Sequence, residues 1–196
     1  MKTKKVVMIA GNSKEKFFQE DHDSEIWGLN GIRPDWIKRF DRMFNLHLRA
    51  GLERDWKKGL EKDVEWINDN PDTPFYVLDE WKDAPTALIF PRHEFSYQPR
   101  ESYHASSLDW MVAYAIHLGF REIELHGIGF VGELGEPLSA RSCIEYWCGY
   151  AEGLGINVVS SKDVDLFYQY HYVKTNTVYG YDEVDLIEDR VNSDGE

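Results

Sequence analysis

Between Ser106 and Phe130 the chain reads SSLDWMVAYAIHLGFREIELHGIGF, and no other stretch restricts its possible folds as much. Ser106 and Asp109 have capping-box spacing, with Asp in the third helical position. Leu108, Met111, Val112 and Ala115 then recur at helical intervals, and Gly119 stands where a helix can end in the left-handed conformation. Glu122 to Phe130 follows as a strand running into a glycine turn. A second helix over about Ser139 to Leu154 and a strand over Ile156–Val159 repeat the pattern. Helices alternating with strands are the mark of a mostly parallel sheet.

The first half of the chain fits the same plan. Lys4 to Ala10 is a short apolar run with β-branched residues that stops at Gly11-Asn12-Ser13, as a buried parallel strand ending in a turn would. Further strands are expected at Glu25–Asn30, Phe44–His47, Phe75–Leu78 and Ala87–Phe90. Pro34 suits the first turn of a short helix through Trp36, Phe40 and Met43. Leu52, Trp56, Leu60, Val64 and Ile67 mark an amphipathic helix over residues 52 to 68, and Asn68 to Pro74 ends it. Pro91 to His104 lacks periodicity and reads as a lid-like loop near residues 91–105. The expected fold is α/β: a single Rossmann-like three-layer domain over residues 1–180, with an acidic, flexible tail at 181–196. There are no internal repeats.

Charge narrows the partners. The 196 residues carry a formal net charge of −13, and the last sixteen hold seven acids and one Arg. Without a Lys/Arg stripe, such a surface repels phosphate backbones, so no direct duplex nucleic-acid binding is expected. A small-molecule nucleotide ligand fits better. Cys143 and Cys148, five apart in a helix, point in different directions and indicate neither a disulfide nor a zinc pair. Two cysteines and no signal peptide read as a cytoplasmic protein, and no apolar run has the length of a membrane span.

In open parallel sheets, ligands lie beyond the carboxyl ends of the strands, where helix N-termini and turns offer donors. Gly11, Asn12 and Ser13 follow the first expected strand, Asn30 closes the second, and Asn45 and His47 close the third. Ser106 and Ser107 open a helix at that edge, and Gly127 follows the strand after it. Arg92, His93, Arg100 and His104 are the cations of the lid. Each has a plainer role open to it as a turn, a cap or a structural histidine. HExxH, GxSxG, GxxxxGK[ST] and GxGxxG are absent, and no Asp/Glu/His grouping has metal-ligand spacing.

Two segments carry a family resemblance. The opening KKVVMIAGNS is similar to the start of campylobacter-type bacterial sialyltransferases and of the related superfamily that includes archaeal 6-hydroxymethylpterin diphosphokinases. The Ser106–Phe130 segment resembles the same proteins over their serine-bearing helix start, long helix and following strand, and EIWGLNG and MFNLH fall between in the right order. The resemblance implies that Asn12, Asn30, Asn45, Ser106 and Ser107 contact a donor nucleotide, and that the loop after Phe130 approaches the leaving phosphate. This sequence also departs from the pattern. Leu108 stands where the family has Gly, Gly129 where it has Asp, and Val131-Gly132 where a Tyr is expected. The family's catalytic histidine has no counterpart. A transferase here needs another base, and His104, His126 and Glu133 are the candidates. The implied function is a nucleotide-sugar-dependent, glycosyltransferase-like enzyme acting on a small or carbohydrate acceptor. It would have no tightly bound cofactor, and the nucleotide or nucleotide sugar would be a co-substrate. A magnesium-dependent diphosphokinase and a non-catalytic protein that binds or sequesters a nucleotide are the alternatives.

Overall fold

A computed structural model describes residues 4–9, 24–31, 33, 37–95, 103–128, 138–160 and 166–167. The chain divides into two units, Met1–Val164 and Asp165–Glu196, and every element described lies in the first. In chain order these are β1 (Lys5–Ile9), β2 (Ser24–Leu29), β3 (Arg42–Asn45), α1 (Arg49–Asp55), α2 (Lys57–Asp69), β4 (Phe75–Val77) and β5 (Leu88–Ile89). Then come α3 (Arg92–Phe95), α4 (Ser107–His117), β6 (Glu122–His126), α5 (Leu138–Gly153) and β7 (Asn157–Ser160). The strands form one sheet in the order β5-β4-β3-β2-β1-β6-β7, and every pairing is parallel. This is the Rossmann-like α/β arrangement expected from the alternation. Growth of the sheet reverses beside β1: β2 to β5 extend one way, β6 and β7 the other.

Strand register assigns the two faces, because partners in a parallel ladder point to the same side. Met8 lies beside Trp27 and Leu125, and Leu29 beside Phe44, which in turn adjoins Tyr76. On this face the rings of Trp27, Phe44 and Tyr76 all meet Tyr114 of α4, with centroids 5.9, 6.3 and 5.6 Å away. The other face presents Met43, Phe75 and Val77 to Leu52, Leu60 and Ile67 of α1 and α2, together with Trp81 and Ala84. The domain therefore has three layers. Helix α4 is buried on nearly every side, from Ser107 to Ala115, which is why its apolar residues do not keep to one stripe.

Three expectations change in detail. The helix through Trp36, Phe40 and Met43 does not form over the described part, because Met43 lies inside β3 and Ile37–Asp41 is irregular. The cause is a clasp on β2: the Asp41 N–H donates to the Ile26 carbonyl and the Ile26 N–H to the Asp41 carboxylate, each at 2.8 Å. This lays Ile37 and Phe40 over Val7 and Ile26. The helix expected over residues 52 to 68 is two helices that meet at Trp56, whose backbone (φ −141°, ψ 37°) leaves the helical region. The first starts early because the distant Asp79 carboxylate accepts the Arg49 N–H at 3.1 Å, a cap that local sequence does not reveal. The lid-like stretch opens with α3, whose Phe95 is buried against Phe90, Trp110 and Tyr114. Residues 96–102 lie outside the described residues.

Candidate functional site

All seven strands end at one edge, and β1 is where the connections change direction, the position at which open parallel sheets bind ligands. Asn30 follows β2 at this edge. Its backbone is left-handed (φ 53°), its N–H donates to the Phe44 carbonyl at 2.6 Å, and its side-chain oxygen is buried with no hydrogen-bond partner. Asparagine tolerates the left-handed region better than most side-chain-bearing residues, yet the position carries strain. A buried amide oxygen left unpaired adds a further cost of about 1–3 kcal/mol. Strain and an unmet acceptor on one residue mark a position kept for something other than stability.

Beside it is a buried polar network. Asp63, in the middle of α2, is 1% exposed. It binds the Arg33 guanidinium and accepts the Asn45 side-chain N–H at 2.9 Å. Burial pushes the Asp63 carboxyl up, opposed by the Arg33 charge and the two hydrogen bonds. A Cβ on Gly31 would lie in ordinary van der Waals contact with the Asp63 carboxylate, at 3.7 Å, and Arg33 stands over the Trp66 ring at 5.0 Å. The turn carrying Asn30 is thus braced against α2. Asn45 is wholly buried, with its amide committed to Asp63 and to the His47 N–H at 3.4 Å, while His47 itself is exposed.

The third component is the start of α4. Ser106 Oγ accepts the Asp109 N–H at 3.4 Å and the Asp109 carboxylate accepts the Ser106 N–H at 2.8 Å, the reciprocal capping box expected from spacing. Ser107 is buried in the first turn. Just before the cap, His104 brings Nδ1 to 2.6 Å from Asp109 Oδ1. Its ring is sandwiched between Trp110 and Trp147, with centroids at 3.6 and 4.8 Å. His126 ends β6 on the opposite face of the sheet, its Nε2 2.8 Å from Glu124 Oε1. The His126 hydrogen bond, with Lys5 close by, holds Glu124 below the usual carboxylate range in spite of burial. Gly127 follows in the left-handed conformation, φ 66°.

The fold has a solved counterpart. It is similar to a crystal structure of the campylobacter sialyltransferase CST-II in complex with a trisaccharide acceptor and CMP. The TM-score is 0.51 and the identity 16%, over 79% of this chain and 80% of the other. At that identity the likeness is one of fold. It bears on the sialyltransferase side of the resemblance and not on the diphosphokinase side. No protein-family model and no curated protein matches the chain.

Of the residues singled out from sequence, Asn30, Asn45, Ser106, Ser107, Gly127 and His104 belong to segments at the carboxyl edge, whereas His126 turns to the far face. Gly11, Asn12, Ser13, Arg100 and Glu133 lie outside the described residues. Among the described residues, no group of three His, Cys, Asp or Glu is placed to hold a metal ion, and no helix is long and apolar enough to cross a membrane. A separate groove of about 580 Å³ along α1 and α2 is lined by Arg49, Glu53, Lys57, Glu61, Glu65 and Asp83 among others, and by none of the candidates. Sequence reading missed Asp63, Arg33 and the two tryptophans around His104. For Asp63 a signal was present: an acid at the third position after Leu60 and the fourth before Ile67 stands inside the apolar stripe of α2.

Proposed function

We propose that the chain is a nucleotide-sugar-dependent, glycosyltransferase-like enzyme that binds its donor at the carboxyl edge beside β1 and passes the sugar to a small or carbohydrate acceptor. The observation that carries this reading is Asn30, a strained residue whose buried amide oxygen lacks a partner at the strand end where such folds hold ligands. A base amino group or a ribose hydroxyl would supply the missing hydrogen. The network through Arg33, Asp63 and Asn45 supports the reading by fixing the turn, and the start of α4 offers backbone N–H groups for developing negative charge. The CMP and trisaccharide in the sialyltransferase neighbour lend it chemical plausibility.

The test is a thermal-shift series with nucleoside mono-, di- and triphosphates and common nucleotide sugars, on wild type and Asn30→Gly. A ligand specific for the folded state at 100 times its Kd adds about 2.7 kcal/mol, a shift of several degrees. The expected result is a shift with one nucleotide class that disappears in the variant. No shift with any of them sinks the reading.

A further inference from the structure

The residues that would handle a transferred proton are set out around Asp109. This carboxylate is wholly buried. Its Oδ2 takes the N–H groups of Ala105 at 2.9 Å and Ser106 at 2.8 Å and the Ser106 hydroxyl at 3.1 Å. Only Oδ1 is left for the imidazole. With Asp109 as a carboxylate, which accepts and does not donate, the hydrogen of the 2.6 Å contact belongs to His104 Nδ1, and a neutral imidazole then has its lone pair on Nε2. The ring cannot turn away. The Trp110 plane lies 9° from it and the Trp147 plane 14°, and Trp147 is itself held by its indole N–H on the Tyr103 carbonyl at 2.9 Å. Capping α4 needs Ser106 and Asp109 but no imidazole, so the His104–Asp109 contact is additional to the cap.

We infer that His104 is the general base of this site and Asp109 its positioning residue, an assignment that rests on the transferase reading above. In the step, the acceptor oxygen forms a bond to the donor's anomeric carbon as the bond from that carbon to the phosphate oxygen breaks. The electron pair leaves with the phosphate, and the acceptor's hydroxyl proton passes to Nε2. The imidazolium so formed lies beside a carboxylate and between two indole faces, both of which favour a cation. The other described candidate stands apart from this cluster: His126 sits on the face opposite α4 and is bonded to Glu124. This base stands two residues ahead of the α4 cap.

Two measurements on the full chain decide the matter. Long-range ¹H–¹⁵N correlation spectra of the wild type at neutral pH are expected to show His104 as the Nδ1–H tautomer, and Asp109→Asn is expected to disturb that preference. With the nucleotide sugar that gives the thermal shift, His104→Gln is expected to lower turnover by about 100-fold or more. Its nucleotide affinity should stay within about twofold of wild type, and the limb of the pH profile that rises with deprotonation of the base should be lost. An Nε2–H tautomer overturns the assignment without any variant, so misfolding of His104→Gln does not shelter it. Turnover of that variant within threefold of wild type, or nucleotide binding by the wild type without turnover of any donor, also overturns it. Absence of any nucleotide-dependent shift in the wild type is a different failure, which removes the donor reading and the base with it.

Discussion

Single residues at this edge trade stability for position. Asn30 holds a left-handed backbone and an unpaired buried oxygen at once. Asn30→Gly relieves both, since glycine occupies the left-handed region without steric cost. The expected outcome is a ligand-free melting temperature equal to or above wild type, read by calorimetry, in the same variant that no longer responds to nucleotide. A fall of more than a few degrees would show that the amide supports the fold. Gly28 presents the opposite case. A Cβ there would collide with the Met43 thioether and come within 2.9 Å of Phe40 Cδ1, and Met43 is wholly buried. Gly28→Ala is therefore expected to destabilise by about 1–3 kcal/mol in denaturant titrations. Gly28 thus answers to the packing of Met43 in the neighbouring β3, whereas Asn30, two residues on, answers in the proposed reading to the ligand.

At the scale of elements, the central motif was the most legible. The capping box at Ser106, the αL glycine at 119 (φ 75°) and the strand beyond it all follow from local spacing, because each depends on residues within a turn or two of one another. What could not be read depends on distant partners. Asp79 caps α1 from thirty residues away, Asp41 clasps β2 and keeps the described residues 37–41 out of the helix that residue spacing favours, and Arg33 reaches Asp63 across a turn. His104 was visible as a candidate in a loop, but the two indoles that fix it come from α4 and α5, the second more than forty residues away. The link between the Asn30 turn and α2 makes a prediction of its own. Removing one member of a buried ion pair strands the other, at a typical cost of about 3–5 kcal/mol. Asp63→Ala is expected to lose that much in urea unfolding and to loosen the turn that holds Asn30. A loss below about 1 kcal/mol would mean that the network is incidental.

For the whole molecule, acid is the expected weakness. Burial pushes the Glu25 carboxyl up, but the Arg42 guanidinium at 2.8 Å and the Trp27 indole N–H at 2.9 Å bring it below its usual range, and Glu124 is held low by His126. A carboxyl whose folded value is depressed stabilises the fold above the unfolded range of roughly 4, and that contribution fades as pH falls through the folded value. Urea midpoints are therefore expected to be level from neutrality down to about pH 5 and to fall steeply below pH 4. A midpoint unchanged at pH 3 would contradict the role given to these pairs. The stack of His104 between an indole of α4 and one of α5 has an optical consequence. Trp110 and Trp147 face the two sides of the His104 ring, and an imidazolium against an excited indole quenches its emission. Emission from these two of the seven tryptophans is therefore expected to differ according to whether the inferred base carries a proton, a readout that needs neither label nor substrate.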